Sequence, residues 1–324
     1  RAMNTYRLTL QPLSAFGTPL AGDTLFGQLC WALRHQLGNA ALTQLLDGYT
    51  AGRPFAVISD GLPAGHLPLP ALPSRWWADC DLDRKALKRR RWLPLAALAE
   101  PLPGWQALAR DDAAAAHAIT GRPGVLQAER AQPHNTLNRQ TGSTGTGAFA
   151  PYTQAQLWFA PGMQFDLYLA LDEARLPLAG LLAALTHIGH TGFGRDASIG
   201  LGKFALVGSP VAAPFGARPA GNAWLSLGPC APQGQGFCPR RSYYQALTRF
   251  GRHGDMAVHG ASPFKRPLLL ARAGGVFVPL APGGPTPFIG QGLGGIAAPV
   301  SPAMPETVHQ GYAPVLGLHL PETP

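Results

Sequence analysis

A run of closely spaced glycines restricts what this chain can fold into more than any other feature. The run reads GHTGFGRDASIGLGKF over residues 189–204, and its glycines are Gly189, Gly192, Gly194, Gly200 and Gly202. It follows a segment that predicts a helix over 178–187, and it leads into a predicted strand over 203–207. In the dinucleotide-binding fingerprint the order is reversed, because a strand leads into glycines that open a helix. The order therefore argues against a Rossmann-type cofactor site.

Two interpretations of the glycine run stay open. Arg195, Ser198 and Lys203 place two cations and a hydroxyl among residues that lack side-chain bulk. A nucleic-acid backbone could then approach closely and bind to backbone N–H groups and to the cations. Alternatively, the glycines serve only the turn geometry of a tight loop between a helix and a strand.

The charge balance indicates a polyanionic partner. The formal net charge is +9 although only 13% of the residues are charged, so the basic bias is large. Such a surface favours nucleic acid or an acidic membrane. No apolar run of about 18 residues predicts a membrane span, and no secretory signal is visible. We therefore expect a cytoplasmic protein that binds nucleic acid and not a membrane.

The hydrophobic pattern predicts an α+β chain of two domains, for which 324 residues suffice. The predicted elements of the first half are a strand over 6–10, a helix that Asp23 or Thr24 caps and that runs to about Leu37, a short helix over 42–46, strands over 55–59, 155–159 and 163–171, a helix over 178–187 and a strand over 203–207. The order suits a β-α-β-β-α-β unit with an insertion at about 62–150. We expect domains 1–209 and 210–324, of which the second is β-rich.

Two polar segments inside the insertion are further candidates for nucleic-acid contacts. The first is a basic run over 84–91, next to Trp92, from which we single out Lys88, Arg89 and Arg90. A basic run beside a stacking surface suits nucleic acid, although such a run can also be a solvated loop. The second is HNTLNR, with His134, Asn135, Asn138 and Arg139. These side chains suit base edges and phosphates, or they form a polar turn that satisfies its own backbone.

The sequence offers little for catalysis. His35 is the one formal general-base candidate of a metal-independent ribonuclease, and it shares a helix face with Trp31, opposite the apolar stripe. A contact with a partner protein suits this pair better. A Gly-Gly-Asp-Asp string and a His-Asp dipeptide are both missing, so a cyclase or metal phosphohydrolase has no visible motif.

The four cysteines do not form a metal-binding motif. Only Cys230, Cys238 and His253 could approach a zinc site, and the chain has no C-x-x-C pair. Reduced thiols are the simpler interpretation. We expect no cofactor and no metal.

Five segments, in this order, resemble one known family. They are YRLTLQPLSAFGTPLAGDTLFGQLCW, HNTLNR, GFGRDASIGLGKF, KRPLLLARAGGVF and VHQGYAPVLGLHLP. Together they are similar to the RAMP-type subunits that cap the 5′ handle of the guide RNA (crRNA) in type III-A (Csm) CRISPR effector complexes. The resemblance extends over nearly the whole length, but the region 62–121 does not align with the family.

The resemblance implies a fold and a non-catalytic role. The fold would be two ferredoxin-like (RRM-like) β-α-β-β-α-β units with a thumb-like insertion in the first. The partners would be the crRNA 5′ handle, the large polymerase-type subunit and a backbone RAMP subunit. The implied RNA contacts are Gly192, Gly194, Arg195, Ser198 and Lys203 in the glycine loop and His134, Asn135, Asn138 and Arg139 near the thumb. Lys88, Arg89 and Arg90 are added by charge alone, and Trp31 and His35 are expected to contact a partner.

Two alternatives remain. The chain could be a crRNA-processing endoribonuclease of the same superfamily with His35 as its base, or a protein–protein scaffold whose basic surface is incidental.

Overall fold

The computed structural model describes residues 3–213, 221–251, 264–281 and 284–322. The elements of the first part are β1 (Asn4–Pro12), α1 (Gly22–Leu37), α2 (Asn39–Leu45), β2 (Ala56–Ile58), β3 (Leu62–Pro63), β4 (His66–Pro68), α3 (Arg84–Arg89), β5 (Trp92–Pro94), α4 (Trp105–Leu108) and α5 (Asp112–Thr120). They are followed by β6 (Gln127–His134), β7 (Tyr152–Phe159), β8 (Phe165–Leu171), α6 (Leu178–Thr191), β9 (Phe204–Ala212), β10 (Ala223–Ser226), β11 (Ala246–Arg249), β12 (Leu268–Ala271), β13 (Val276–Phe277), β14 (Phe288–Gly294) and β15 (Val308–Leu318). Short 3-10 turns lie at Tyr49–Ala51, Ser74–Trp76, Leu95–Ala99, Leu102–Gly104, Gly147–Phe149 and Ala197–Ile199. Within these ranges, no helix has the length and apolarity needed to cross a bilayer.

The first sheet has the strand order β2-β8-β1-β9, and every pairing in it is antiparallel. Helix α1 connects β1 to β2, and α6 connects β8 to β9. The predicted β-α-β-β-α-β order is therefore present, and the α+β class is confirmed. The two helices and the sheet share one core, in which Leu10, Leu29, Leu167 and Leu185 are almost fully buried. Burial of such side chains contributes about 1.5–3 kcal/mol each to folding.

Helix α1 begins slightly earlier than predicted and ends at Leu37, as predicted. It starts at Gly22 after Ala21, and no side chain caps it, so the prediction of Asp23 or Thr24 as the cap was wrong. Asp23 instead points into the protein, where its carboxylate contacts Arg249 and His309 of the second half. Leu37, at the end of the apolar stripe of α1, is half exposed because the last turn of α1 extends beyond the core.

The second half forms an antiparallel sheet of order β13-β10-β15-β14. Its described residues are β-rich, as expected, and no helix occurs in 221–251, 264–281 or 284–322. Strand β15 packs on α1 and β2 of the first half. The buried amide of Gln310 joins the halves, because it donates to the Ile58 carbonyl at 2.8 Å and accepts from the Ile58 N–H at 2.9 Å. The two halves therefore share a continuous interior.

The insertion packs on the second sheet. Leu67, Leu93 and Trp105 of the insertion share a buried cluster with Leu225 and Leu318 of strands β10 and β15. The basic run, one interpretation of which was a solvated loop, forms helix α3 over most of its length. Asp83 caps this helix and accepts from the Lys85 N–H at 3.1 Å.

Candidate functional site

The glycine loop, residues 192–203, connects α6 to β9 through a backbone that only glycine tolerates at several positions. Gly192, Gly194 and Gly202 have φ values of +106°, +78° and +76°. A Cβ on Gly194 would lie 2.6 Å from the Thr18 Cβ, and a Cβ on Gly202 would lie 2.7 Å from the Phe193 carbonyl carbon. Atoms cannot approach so closely, so these glycines are required by the fold.

The backbone N–H groups of this loop are largely used inside the protein. Gly194 N–H donates to the Gln28 side chain at 2.8 Å, and Arg195 N–H donates to the Thr18 hydroxyl at 2.9 Å. The Gly202 N–H donates to the Ala15 carbonyl at 2.8 Å. The expectation that these N–H groups are presented to phosphate was therefore wrong. Because their partners lie more than 160 residues away in sequence, the local pattern could not reveal them.

Arg195, Ser198 and Lys203 remain exposed on the loop. The Arg195 guanidinium donates to the Ala155 carbonyl of β7 at 2.8 Å and lies 3.1 Å from the Asp196 carboxylate. The Lys203 ammonium donates to the His190 carbonyl at 3.0 Å. These contacts hold two cations at the loop surface without burying them, which suits binding of phosphate by side chains.

The β6–β7 hairpin stands beside the glycine loop. Phe16 exchanges two backbone hydrogen bonds with Leu157, of 2.9 and 2.8 Å, which fix the base of the hairpin. His134 stacks on Tyr152 with ring centroids 5.3 Å apart. This pair lies three residues, about 10 Å, from the point at which Arg195 contacts β7 at Ala155. The structure thus brings the glycine loop and His134 to the same hairpin.

The HNTLNR segment leads from β6 into the hairpin tip. Asn135 and Arg139 are exposed, and Asn138 is partly buried. The Asn138 side chain accepts from the Gln140 N–H at 2.9 Å, and its N–H donates to the Ser143 carbonyl at 3.0 Å. Asn138 therefore builds the turn, whereas Asn135 and Arg139 are available at the surface.

One face of the hairpin carries side chains that the sequence analysis missed. Tyr152, Gln154, Gln156 and Trp158 alternate along β7, opposite partners on β6. Tyr152 and Trp158 are 47% and 43% exposed, although aromatic rings usually bury more of their surface. Among the described residues, the Gln154 side-chain oxygen is buried without a hydrogen-bond partner. The alternation in YTQAQLWF was the signal that could have identified this face.

Only part of the basic run is available for a ligand. Lys88 and Arg89 are exposed, but Arg90 donates to the carbonyls of Ala107 and Ala109. Arg91 forms a bidentate pair with Asp112, with distances of 2.8 and 2.6 Å. Burial acts to raise the pKa of Asp112, but hydrogen bonds from Arg91 and Trp92 lower it below its usual value. The expected RNA contact by Arg90 is therefore less favourable than those by Lys88 and Arg89.

Trp31 and His35 share the outer face of α1, as predicted. The Arg34 guanidinium lies 5.1 Å from the centre of the Trp31 ring, and His35 is exposed on the last turn. The zinc alternative cannot be assembled within the described residues, because His253 lies outside them. Cys230 is buried, and burial raises the pKa of its thiol to about 12.

A buried polar cluster joins α1 to the second half. The Asp23 carboxylate accepts from Arg249 at 2.7 and 3.0 Å, and the His309 Nε2 lies 3.1 Å from it. Burial acts to raise the pKa of Asp23, but His309 and Arg249 lower it below its usual value. Nearby, burial raises the pKa of Asp60 to about 7, although the Gly22 N–H donates to its carboxylate at 2.8 Å.

Replacing Asp60 with asparagine is expected to stabilise the protein above neutral pH. A carboxyl whose pKa is raised by folding stabilises the folded state below its unfolded pKa, and this contribution is lost as the pH rises through about 7. Asparagine keeps the acceptor for Gly22 without the charge. We expect a gain of about 1–3 kcal/mol at pH 8 that shrinks towards pH 4, measured by urea unfolding. A gain that is independent of pH would contradict the assignment.

Solved structures match this chain over nearly its whole length, whereas no protein-family model and no curated protein does. The Csm4 chain of a Csm3-Csm4 subcomplex in the type III-A CRISPR-Cas interference complex has a TM-score of 0.61 at 14% identity, covering 97% of this chain and 100% of that one. The Csm4 chain of a Csm1-Csm4 cassette in complex with pppApA has a TM-score of 0.57 at 16% identity, covering 98% and 99%. A third structure, of the cassette with cA4, has a TM-score of 0.53 at 18% identity. At these identities the matches establish a shared fold.

Proposed function

We propose that this chain is a RAMP-type subunit that binds RNA and holds the 5′ handle of crRNA in a type III-A CRISPR complex. The observation that carries the proposal is the fold shared with Csm4 chains over 97–98% of the length. Those chains were solved together with Csm1 and with Csm3. The partners that we assign are their counterparts, the large polymerase-type subunit and a backbone RAMP subunit. We further propose that the chain is non-catalytic and cytoplasmic.

We assign the chain two ferredoxin-like units, 1–209 and 210–324. The first is supported by the strand order β2-β8-β1-β9 and by the two crossing helices. The second is supported by the antiparallel sheet of β10, β13, β14 and β15. The β6–β7 hairpin is our candidate for the thumb, because it projects from the first unit beside the glycine loop.

The RNA contacts that we propose lie on the side chains of the glycine loop and the hairpin. Arg195, Ser198 and Lys203 offer exposed donors, and Gly192 and Gly194 shape the backbone that carries them. On the hairpin we assign His134, Asn135, Asn138 and Arg139 to the same interface. Lys88 and Arg89 lie farther from the glycine loop, where their positive charge would attract RNA over a longer range. We assign His35, on the exposed last turn of α1, to a subunit contact.

Replacing Arg195 with alanine is expected to weaken binding of handle RNA by about 1–3 kcal/mol, the scale of a charged hydrogen bond. The Arg195 guanidinium donates to a neutral carbonyl of β7 and pairs with Asp196, but about half of its side chain stays exposed, so a phosphate can still reach it. Lysine should restore the charge but not the planar fork. The measurement is a salt titration of binding to a CRISPR 5′-handle RNA, in which affinity falls as salt rises.

Arg53 provides the matched control, because its exposed guanidinium pairs with Asp47 at 3.5 Å. Arg53→Ala should leave handle binding unchanged. Equal affinities of the wild type for handle and scrambled RNA in the assembled complex would contradict handle recognition. Cleavage of repeat RNA by the isolated chain, lost in His35→Ala, would favour the endoribonuclease alternative. Subunit assembly without any RNA binding would favour the scaffold.

A further inference from the structure

The outer face of α1 lies between the two halves of the molecule. Gly27, Trp31 and Arg34 are spaced at i, i+4 and i+7, so they share this face. On one flank, Gln28 donates to the Gly192 carbonyl at 2.7 Å and so binds the glycine loop. On the other flank, Asp23 binds the second half. We call this face, with the glycine loop and residues 264–266 at its sides, the α1 groove.

Gly27 leaves open space in the floor of the α1 groove. A Cβ at this position would meet no atom within 4 Å. Gly27 is also not among the glycines with positive φ, so neither packing nor backbone geometry requires it. Glycine is one of the least favourable residues in a helix interior. Its use here lets the backbone of a ligand come close to the helix.

Lys265 at the side of the groove is a partly buried cation for which the described residues provide no ion pair. Its N–H donates to the Gly251 carbonyl at 2.8 Å, which anchors the backbone. Burial lowers the pKa of Lys265, whereas the nearby Cys30 and Asp23 of α1 act to raise it. In the described part of the chain, no carboxylate lies within 4 Å of its ammonium and no acceptor hydrogen-bonds to it. Partial burial disfavours the charged form of Lys265, and an anion bound beside it would favour that form again, so this position suits an anionic ligand.

Most of the other described groups around the groove are cationic or aromatic, and the one acid of the glycine loop, Asp196, lies 3.1 Å from Arg195. The Arg34 guanidinium lies over one face of the Trp31 ring, and Phe264 and Arg266 are exposed beside Lys265. The one acid of α1, Asp23, has a fully buried side chain and already binds Arg249 and His309. A surface of cations and aromatic faces is the type that binds single-stranded nucleic acid. The core of a protein interface is instead depleted of charge.

We infer that a single strand of RNA crosses the α1 groove, with a phosphate at Lys265 above Gly27 and a base stacked on Trp31. This inference rests on the RNA binding proposed above, and it extends the RNA path from the glycine loop to the second half. Trp31, which was expected to contact a protein partner, is thereby assigned to RNA, because it lies in the floor between the two sides of the groove.

Two variants of the full chain test this path. Gly27→Leu fills the open space without removing any polar group, and Lys265→Met removes the charge at similar length. Each should raise the Kd for a fluorescein-labelled oligouridylate about tenfold, the scale for one stacked base or phosphate. Lys265→Met should also lower the salt dependence of log Kd by about one. Gln36→Leu, on an exposed position of the same helix, adds comparable bulk away from the groove and should bind like the wild type.

Thermal melting separates binding from folding, because leucine is a better helix former than glycine and Gly27→Leu should melt no lower than the wild type. A 4-thiouridine-substituted oligouridylate should crosslink to the peptide that contains Trp31. Normal RNA binding by both groove variants, while Arg195→Ala is impaired, would overturn this path and leave the proposed function standing. Failure of the wild type to bind RNA would overturn both. Retained RNA affinity with lost subunit assembly would make the groove a protein-docking face and overturn the RNA path.

Discussion

Gly202→Val is expected to prevent the chain from folding, at a cost of about 4 kcal/mol or more. Gly202 has a φ of +76°, which a β-branched residue adopts only under strain. A Cβ there would also collide with the backbone of Phe193, whose N–H donates to the Gly202 carbonyl at 2.8 Å. Phe193 is fully buried, so it cannot move aside without opening the core. Urea unfolding and soluble yield are the measurements.

A substitution at Gly200 separates the two causes of the expected loss of stability, which are backbone strain and the collision with Phe193. Its φ is +96°, but a Cβ there meets no atom within 4 Å. Gly200→Val therefore adds backbone strain without the collision, at about 1–3 kcal/mol. Similar unfolding midpoints for the two variants would show that the close approach to Phe193 has little importance.

Asp23→Asn is expected to lower the free energy of unfolding by about 3–5 kcal/mol at neutral pH, the cost of breaking a buried ion pair. The substitution preserves shape, but it leaves the Arg249 guanidinium, only 26% exposed, without its counterion. Because this pair links α1 to β11, the loss should loosen the joint between the two halves. Chemical unfolding of the full chain measures it.

The effect of Asp23→Asn should depend on pH in a defined direction. Burial opposes ionisation of Asp23, but His309 and Arg249 outweigh it and keep the pKa below the usual 3.8. A carboxyl with a lowered pKa stabilises the folded state above its unfolded pKa, and this contribution is lost as the pH falls through the folded value. The stability curves of wild type and variant should therefore begin to converge as the pH falls below about 4.

Asp47→Asn is the control for this experiment. Asp47 pairs with Arg53 at 3.5 Å, but both side chains are largely exposed, at 76% and 68%. Such a pair contributes less than about 1 kcal/mol. If both substitutions had equally small effects, the Asp23 cluster would not be what joins the halves.

The sequence sufficed to predict those features that depend on neighbours along the chain. The order of elements in the first half follows from hydrophobic spacing, and the glycine run marks the exit of α6 because glycine tolerates the backbone needed there. Features that depend on distant residues were not accessible. The sequence left open whether the Gly194 and Arg195 N–H groups are free, because their acceptors, Gln28 and Thr18, belong to the other end of the unit.

The same reason explains why the ion pairs of Asp23 and Arg91 could not be predicted. Aspartate is a common residue at helix N-termini, so Asp23 was predicted to cap α1. Only the fold brings Arg249 and His309 of the second half to it. The basic run contains no acid of its own. The pairing of Arg91 with Asp112 could therefore be predicted only if the path of the chain through the insertion were known. In a chain with so few charged residues, each pairing chosen by the fold removes a substantial part of the cationic surface that composition suggests.

The packing of the insertion on the second sheet has a consequence for how the chain matures on the ribosome. Leu67, Leu93 and Trp105 are translated more than a hundred residues before Leu225 and Leu318, the strand residues that cover them. While synthesis continues, this apolar surface is exposed to other nascent chains, which is the situation that invites aggregation and recruits chaperones. Closure of the cluster depends on contacts of long sequence separation, so it is slow compared with helix formation. Completion of β15 is therefore the event that ends this vulnerable interval.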